Sequence, residues 1–79
     1  MVHKENLFKV PDYLLGKKIT ILGYSVEGQA YAQFLMENQI QVVIGLRPAD
    51  DLWSVAERDG HEVRTLWEAV EEADIIQVW

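Results

Sequence analysis

The chain has 79 residues, of which 49% are hydrophobic and 25% are charged, with a formal net charge of −6. These values indicate one small globular domain rather than a disordered segment. The negative charge argues against a nucleic-acid partner, because phosphate backbones bind basic surfaces. The chain has no cysteine, which excludes disulfides and thiolate metal sites. No apolar run approaches the roughly 20 residues that span a bilayer, and no secretory signal is recognisable, so we expect a cytoplasmic protein without a membrane partner.

The N-terminal segment has no regular hydrophobic period and is interrupted by Pro11. We interpret residues 1–15 as an arm that lies over a domain formed by residues 16–79. The side chains expected to anchor this arm are apolar or aromatic: Leu7, Phe8, Val10, Tyr13 and Leu14.

Strands and helices are predicted to alternate along the rest of the chain. Apolar, β-branched segments predict strands at 18–23, 41–46, 62–64 and 74–79, and residues at helical spacing predict helices at 26–38, 50–58 and 66–73. Asp50 is the expected N-cap of the second helix, and Gly60 is its expected stop. Thr65 is expected to cap the third helix, with Glu68 completing a capping box.

This alternation predicts an α/β fold of three layers. We expect a Rossmann-like parallel sheet of four strands in the order 3-2-1-4, with right-handed crossovers and helices on both faces. The last strand would lie at an edge of the sheet and is strongly apolar, with Ile75, Ile76, Val78 and Trp79. Because an unpaired apolar edge invites pairing with another chain, we expect either a piece of a longer protein or a homo-oligomer that covers this edge.

The segment that carries chemistry is Gly23-Tyr24-Ser25-Val26-Glu27-Gly28, between the first strand and the first helix. In dinucleotide-binding folds a G-x-G-x-x-G turn at this place brings helix N-terminal amides to a pyrophosphate. The second glycine is replaced by Ser25, which takes up space but could donate its hydroxyl to phosphate. Glu27 adds a negative charge that either points to solvent or compensates the helix dipole. A tight turn without a ligand is the alternative interpretation of both glycines.

Three stretches resemble the N-terminal domain of ketol-acid reductoisomerase: LLGKKITILGYSVEGQAYA, VVIGLRPADDLWSVAERDGHEV and WEAVEEADIIQVW. The resemblance extends from about residue 15 to residue 79. Its most specific part is Gly45-Leu46-Arg47-Pro48, followed by Trp53, Ala56, Asp59-Gly60 and Val63. It implies an NADPH-binding domain of an oxidoreductase of branched-chain amino acid biosynthesis.

The resemblance also implies which residues hold the cofactor. The phosphate turn of the family usually reads GYGSQGHA, whereas this chain has GYSVEGQA. In the loop after the second strand, Arg47 matches the family's arginine for the 2′-phosphate and could also stack on adenine. Asp50 and Leu52 occupy the usual serine positions, with Asp51 between them. A carboxylate repels a 2′-phosphate but accepts a bond from a ribose 2′-hydroxyl, so we expect NAD to be slightly favoured over NADP. Helix capping is the alternative role of both aspartates.

We find no catalytic or metal-binding set of residues in the sequence. The metal-binding carboxylates and substrate pocket of the family lie in a helical C-terminal domain, to which nothing here corresponds. We interpret the remaining polar and aromatic candidates as a solvated helix face (Glu68, Glu71, Glu72), surface histidines (His3, His61) and packing residues (Trp53, Trp67). The chain is therefore predicted to bind NAD(P) without carrying out the reaction alone. The alternative is a degenerate, non-catalytic Rossmann module that acts in protein interaction or regulation.

Overall fold

The computed structural model describes residues 14–78, which form a single parallel sheet with three helices. The strands are β1 (Lys18–Leu22), β2 (Gln41–Leu46), β3 (Glu62–Thr65) and β4 (Ile75–Val78), and the helices are α1 (Val26–Glu37), α2 (Leu52–Arg58) and α3 (Leu66–Glu72). The strand order is β3-β2-β1-β4, so the predicted fold and topology are confirmed. Most of the proposed arm, with the anchors Leu7, Phe8, Val10 and Tyr13, lies outside the described residues, as does Trp79.

The central strand β1 shows how the sheet is covered on both faces. Ile19 and Ile21 are fully buried in one core cluster with Leu35 of α1 and Ala56 of α2. Thr20 points to the opposite face, because side chains alternate along a strand, and its hydroxyl donates to the Ala69 carbonyl of α3 at 2.8 Å. Helices α1 and α2 therefore cover one face and α3 covers the other.

Gly45 in β2 allows α3 to approach the sheet closely. A Cβ atom at this position would lie 2.9 Å from Leu22 Cδ2 and 3.0 Å from Ala69 Cβ, which is too close for an ordinary contact. Leu14 is also part of the core and is 1% exposed, as expected for an anchor. The described end of the arm therefore packs on the domain.

The helix ends follow local backbone chemistry. Gly60 has φ of +92°, and the amides of Gly60 and His61 donate to the Glu57 and Ala56 carbonyls, which is the Schellman arrangement. The predicted stop of α2 is thus confirmed. At the start of α3, Thr65 accepts from the Glu68 amide, and the Glu68 carboxylate accepts from the Thr65 amide, which confirms the predicted capping box.

Candidate functional site

The turn after β1 is held by one main-chain hydrogen bond and two bonds between a side chain and the main chain. Gly23 has φ of +90°, a conformation that glycine adopts without strain, and its amide donates to the Gly45 carbonyl of β2 at 3.0 Å. The Gln29 side-chain amide donates to the Tyr24 carbonyl at 3.1 Å. Ser25 is the N-cap of α1, and its Oγ accepts from the Gly28 amide at 3.1 Å. These bonds give the turn one defined shape.

The first amides of α1 remain available to a ligand. Within residues 14–78, the amides of Val26 and Glu27 donate to no protein acceptor. Ser25, Val26 and Glu27 are all exposed, so no side chain of the described residues fills the space in front of these amides. The Ser25 oxygen accepts from Gly28 and still has its own proton to donate. Free amides at a helix N-terminus are suited to hold an anion.

Glu27 lies in the first turn of α1 and is exposed. Its carboxylate makes no hydrogen bond or ion pair within the described part of the chain. The side chain is therefore able to point to solvent, where it compensates the helix dipole and keeps its charge away from the turn.

The side chain of Tyr24 leaves the turn and enters the core, where it is 3% exposed. Its hydroxyl donates to Asp59 Oδ2 at 2.5 Å, and its ring meets the His61 ring edge-on at 5.8 Å between centroids. Burial raises the pKa of the Tyr24 hydroxyl above its ordinary value, and the hydrogen bond to Asp59 raises it further. Only the main chain of Tyr24 remains at the face of the turn that a ligand can reach.

His61 is buried, with 7% of its surface exposed, so the prediction of a surface histidine is wrong. The physical reason is its place after Gly60, because the residue that follows a Schellman turn folds back against its own helix. Burial lowers the pKa of the His61 imidazole, although the nearby Asp59 carboxylate opposes this effect. The imidazole is therefore uncharged at neutral pH, which suits its contact with the Tyr24 ring.

The loop after β2 carries the other predicted cofactor residues. Arg47 is exposed, and its carbonyl accepts from the Asp50 amide at 2.9 Å. Asp50 is half-buried, and its Oδ1 accepts from the Leu52 amide at 2.8 Å. The prediction of Asp50 as the N-cap is wrong by one residue, because the helix begins only at Leu52 and its N-cap is Asp51, whose side chain makes no capping bond. Asp50 nevertheless supplies the side-chain acceptor for the first amide of α2.

A cavity of about 360 Å³ opens at the carboxyl ends of β2 and β3 and is lined by Arg47, Pro48, Thr65, Leu66 and Trp67. Trp67 is 81% exposed, so the prediction that it is a packing residue is wrong, whereas Trp53 is half-buried against the core as expected. Of these residues, only Arg47 is among those that the sequence predicts to hold the cofactor. The rule that ligands bind beyond the carboxyl ends of parallel strands would also have pointed to Thr65–Trp67, directly after β3.

The register of the sheet brings the predicted site segments to one edge. Leu22 at the end of β1 pairs with Gly45, two residues before Arg47, and Leu46 pairs with Thr65 at the end of β3. The glycine turn, the Arg47 loop and the cavity are therefore neighbours. Among residues 14–78 no group of three or more His, Asp and Glu side chains is arranged to hold a metal ion, and no helix is both long and apolar enough to span a membrane.

Comparison with known proteins shows the family to which this chain belongs. Residues 13–79 match the family model described as acetohydroxy acid isomeroreductase, NADPH-binding domain. The chain belongs to this family. The predicted resemblance to the N-terminal domain of ketol-acid reductoisomerase is confirmed, and with it a nucleotide-cofactor domain of an oxidoreductase family.

The relatives of this reductoisomerase domain are much longer than the chain. It is 40% identical over 67 residues to the ketol-acid reductoisomerases (NADP(+)) of Pyrococcus abyssi and Methanocaldococcus jannaschii, and the match covers 85% of this chain and 20% of each relative. Among solved structures it is similar to an NADH-preferring ketol-acid reductoisomerase from an uncultured archaean, with 32% identity and a TM-score of 0.76 over 85% of this chain and 22% of the other. The chain thus spans about a fifth of the length of its curated relatives.

Proposed function

We propose that this domain binds NAD(P) as the cofactor-binding part of a ketol-acid reductoisomerase, with the pyrophosphate on the glycine turn and the adenosine in the adjacent cavity. The observation that carries this proposal is the open N-terminus of α1, where the amides of Val26 and Glu27 have no protein acceptor. The degenerate module without a ligand is not favoured, because those amides are unobstructed within the described residues and the family is a cofactor-binding one.

The pyrophosphate would be held by local geometry rather than by the overall field. The net charge of −6 repels an anion at long range, so the binding energy has to come from short contacts. The amides of Val26 and Glu27 and the hydroxyl of Ser25 offer three donors at the positive end of the α1 dipole. Hydrogen bonds to a charged acceptor contribute about 1.5–3 kcal/mol each, which is enough to compensate for a diffuse unfavourable charge.

The adenine base would occupy the cavity beside Arg47. A volume of about 360 Å³ is within the range of small-molecule sites. Arg47 offers a planar guanidinium and the exposed Trp67 offers an aromatic face, and both surfaces stack on flat rings. The apolar side chains of Pro48 and Leu66 complete the lining.

The reaction that we propose for the whole protein is the reductoisomerase reaction of its relatives. A bound reduced nicotinamide would supply the hydride, and the residues of this domain would bind and orient the cofactor. Within residues 14–78, Glu68 is hydrogen-bonded by Thr65 and Glu72 is paired with Lys18 at 3.7 Å, so both carboxylates already have partners within the domain. We therefore assign metal and substrate binding to parts of the protein that correspond to the remainder of its relatives.

The proposal also covers the preference between the two cofactors, the oligomeric state and the location in the cell. NAD is favoured slightly over NADP, supported by the acidic Asp50 and Asp51 and by the similarity to an NADH-preferring structure, although the curated relatives are named for NADP(+).

The protein forms a homo-oligomer through the β4 edge, whose apolar side chains are partly exposed. Its location is the cytoplasm, which cell fractionation tests; recovery of the protein in a membrane or secreted fraction would contradict it.

Ligand titration tests the proposed function directly. ADP-ribose, NAD and NADP are added to the protein while tryptophan fluorescence and thermal unfolding are followed, with ribose 5-phosphate as the control. A ligand at 100 times its Kd stabilises the folded state by about 2.7 kcal/mol, so each of the three ligands should raise the unfolding temperature and change the tryptophan emission, to which the exposed Trp67 contributes. No change in either signal at millimolar ADP-ribose would leave the domain without its proposed ligand.

A further inference from the structure

The phosphate-binding turn is tied to the opposite end of α2 by one buried side chain. Tyr24 stands between Gly23, which has φ of +90°, and Ser25, which caps α1. Its ring is 3% exposed, and its hydroxyl donates to Asp59. A hydrogen bond to a carboxylate is shorter and stronger than one between neutral groups, so this contact is a firm anchor for the turn.

The turn needs such an anchor because of the glycine that begins it. Gly23 has the widest choice of backbone angles of any residue, and the next peptide could therefore rotate about it. A main-chain bond fixes the Gly23 amide, and the Gln29 side-chain amide fixes the Tyr24 carbonyl. The Tyr24 side chain adds a third attachment, and the direction in which it leaves the turn sets the orientation of the following peptide and hence of the α1 amides.

Asp59 is itself held firmly. It is the C-cap of α2, and its amide donates to the Val55 carbonyl at 3.0 Å. The next residue, Gly60, closes the Schellman turn, and His61 then packs its ring against the Tyr24 ring at 5.8 Å. The tyrosine is thus held at its hydroxyl by the end of α2 and at its ring by the residue that leads into β3.

We propose that Tyr24 and Asp59 are positioning residues, which act through their mutual hydrogen bond to fix the phosphate-binding turn; this inference rests on the proposed function. Helix α2 then serves the cofactor at both ends. Asp50 accepts from the first amide of the helix in the loop beside the cavity, and Asp59 at its end holds the turn that receives the pyrophosphate. The Tyr24 side chain is buried away from the exposed face of the turn, which separates this role from that of the turn amides.

The test uses Tyr24→Phe, which removes only the hydroxyl. Two independent measurements, amide exchange and ligand affinity, then report on the turn. Amide exchange is measured by NMR without ligand at Gly23 and Gly28, whose amides are protected by hydrogen bonds of the turn. Kd is measured for ADP-ribose, which reaches the turn, and for adenosine, which reaches only the cavity. We expect faster exchange at the turn and about tenfold weaker binding of ADP-ribose, with adenosine changed less than about twofold. A role in stability alone would lower the unfolding temperature and leave the ratio of the two Kd values unchanged.

Asp59→Asn provides a second variant that keeps the protein folded, because the Asp59 side chain is exposed and asparagine retains an acceptor oxygen. We expect it to weaken ADP-ribose binding by about threefold, since the acceptor is now uncharged. Glu57→Gln, which neutralises an exposed carboxylate on the same helix, is the matched control and should change neither reading.

Two results separate this proposal from the one on which it rests. Unchanged amide exchange and an unchanged Kd ratio in both Tyr24→Phe and Asp59→Asn would overturn the positioning role, even if the unfolding temperature fell. If the unmodified protein bound neither ligand while Tyr24→Phe still loosened the turn, the positioning role would stand and the proposed function would fail.

Discussion

Asp50 shows how one side chain can serve both the fold and a ligand. One carboxylate oxygen accepts from the Leu52 amide and so starts α2. The carboxylate also brings negative charge to the loop that carries Arg47, whose carbonyl accepts from the Asp50 amide, next to the cavity that we propose for the adenosine half. Capping and cofactor selection are therefore compatible roles for this residue, and the second of them depends on charge.

Replacement of Asp50 by serine separates these two roles. Serine is also a good capping residue, so the Asp50→Ser variant should retain the start of α2 while losing the charge that repels a 2′-phosphate. We expect the affinity for NADP relative to NAD to rise by about three- to tenfold, measured by fluorescence titration with both cofactors. Glu71→Gln removes an exposed charge from α3 and serves as the control. An equal NADP-to-NAD ratio before and after Asp50→Ser would refute the role in selection.

The residues that could be predicted from sequence are those whose roles depend on near neighbours in the chain. The glycine turn, the Thr65–Glu68 capping box and the Gly60 stop each follow from a few adjacent residues. His61 and Trp67 could not be predicted in this way. Whether an aromatic or imidazole ring is buried depends on what lies opposite in space, here the Tyr24 ring for His61 and an open cavity for Trp67.

The two faces of β4 differ in how far their side chains are buried. Ile75 packs against the core cluster, whereas Ile76 and Val78 point to the other face and are 45% and 74% exposed. The strand pairs with β1 along one side only within the described sheet. An edge of this kind has unpaired backbone groups next to apolar side chains, which favours association with a further strand.

The oligomer proposed for this edge is tested by a charge placed on it. Lysine on an edge strand opposes strand pairing, so Ile76→Lys should shift the mass in solution, measured by light scattering, from an oligomer to a monomer. Gln33→Lys adds the same charge on the exposed side of α1 and should leave the mass unchanged. The proposal would be wrong if the unmodified chain were already monomeric, or if both variants had the same mass.

The bounds of the helices and strands could be predicted only where the local sequence marks them. The buried strands β1 and β2 are evident as apolar runs, and their positions were predicted within one residue. The start of α2 was predicted two residues early, because the Asp50 amide closes a turn onto the Arg47 carbonyl before the helix begins. Helix α1 ends at Glu37 with Asn38 as its C-cap, and the positive φ of +62° that follows is at Gln39, so no glycine marks this end in the sequence.

At the scale of the whole molecule, the strand order creates the site. The chain moves from β1 outward to β3 and then crosses to β4 on the other side, so the glycine turn lies where the direction reverses, the usual place for a ligand in such sheets. This arrangement could be predicted, because alternating strands and helices allow few other topologies. The chain covers about a fifth of its curated relatives, so the proposed reaction requires groups beyond this domain.

Replacement of Val26 by proline tests most directly whether the first amides of α1 bind the pyrophosphate. Proline is favoured at the first position of a helix and removes only the amide proton there, and Ser25, with φ of −66° and ψ of 168°, already has the extended conformation that a following proline requires. The Val26 side chain is 82% exposed, so its loss should cost little stability. The control Val26→Ala shortens the same side chain and keeps the amide. We predict a Kd for ADP-ribose about tenfold higher in Val26→Pro than in Val26→Ala, at equal stability. The same Kd in both variants would contradict our account of the site.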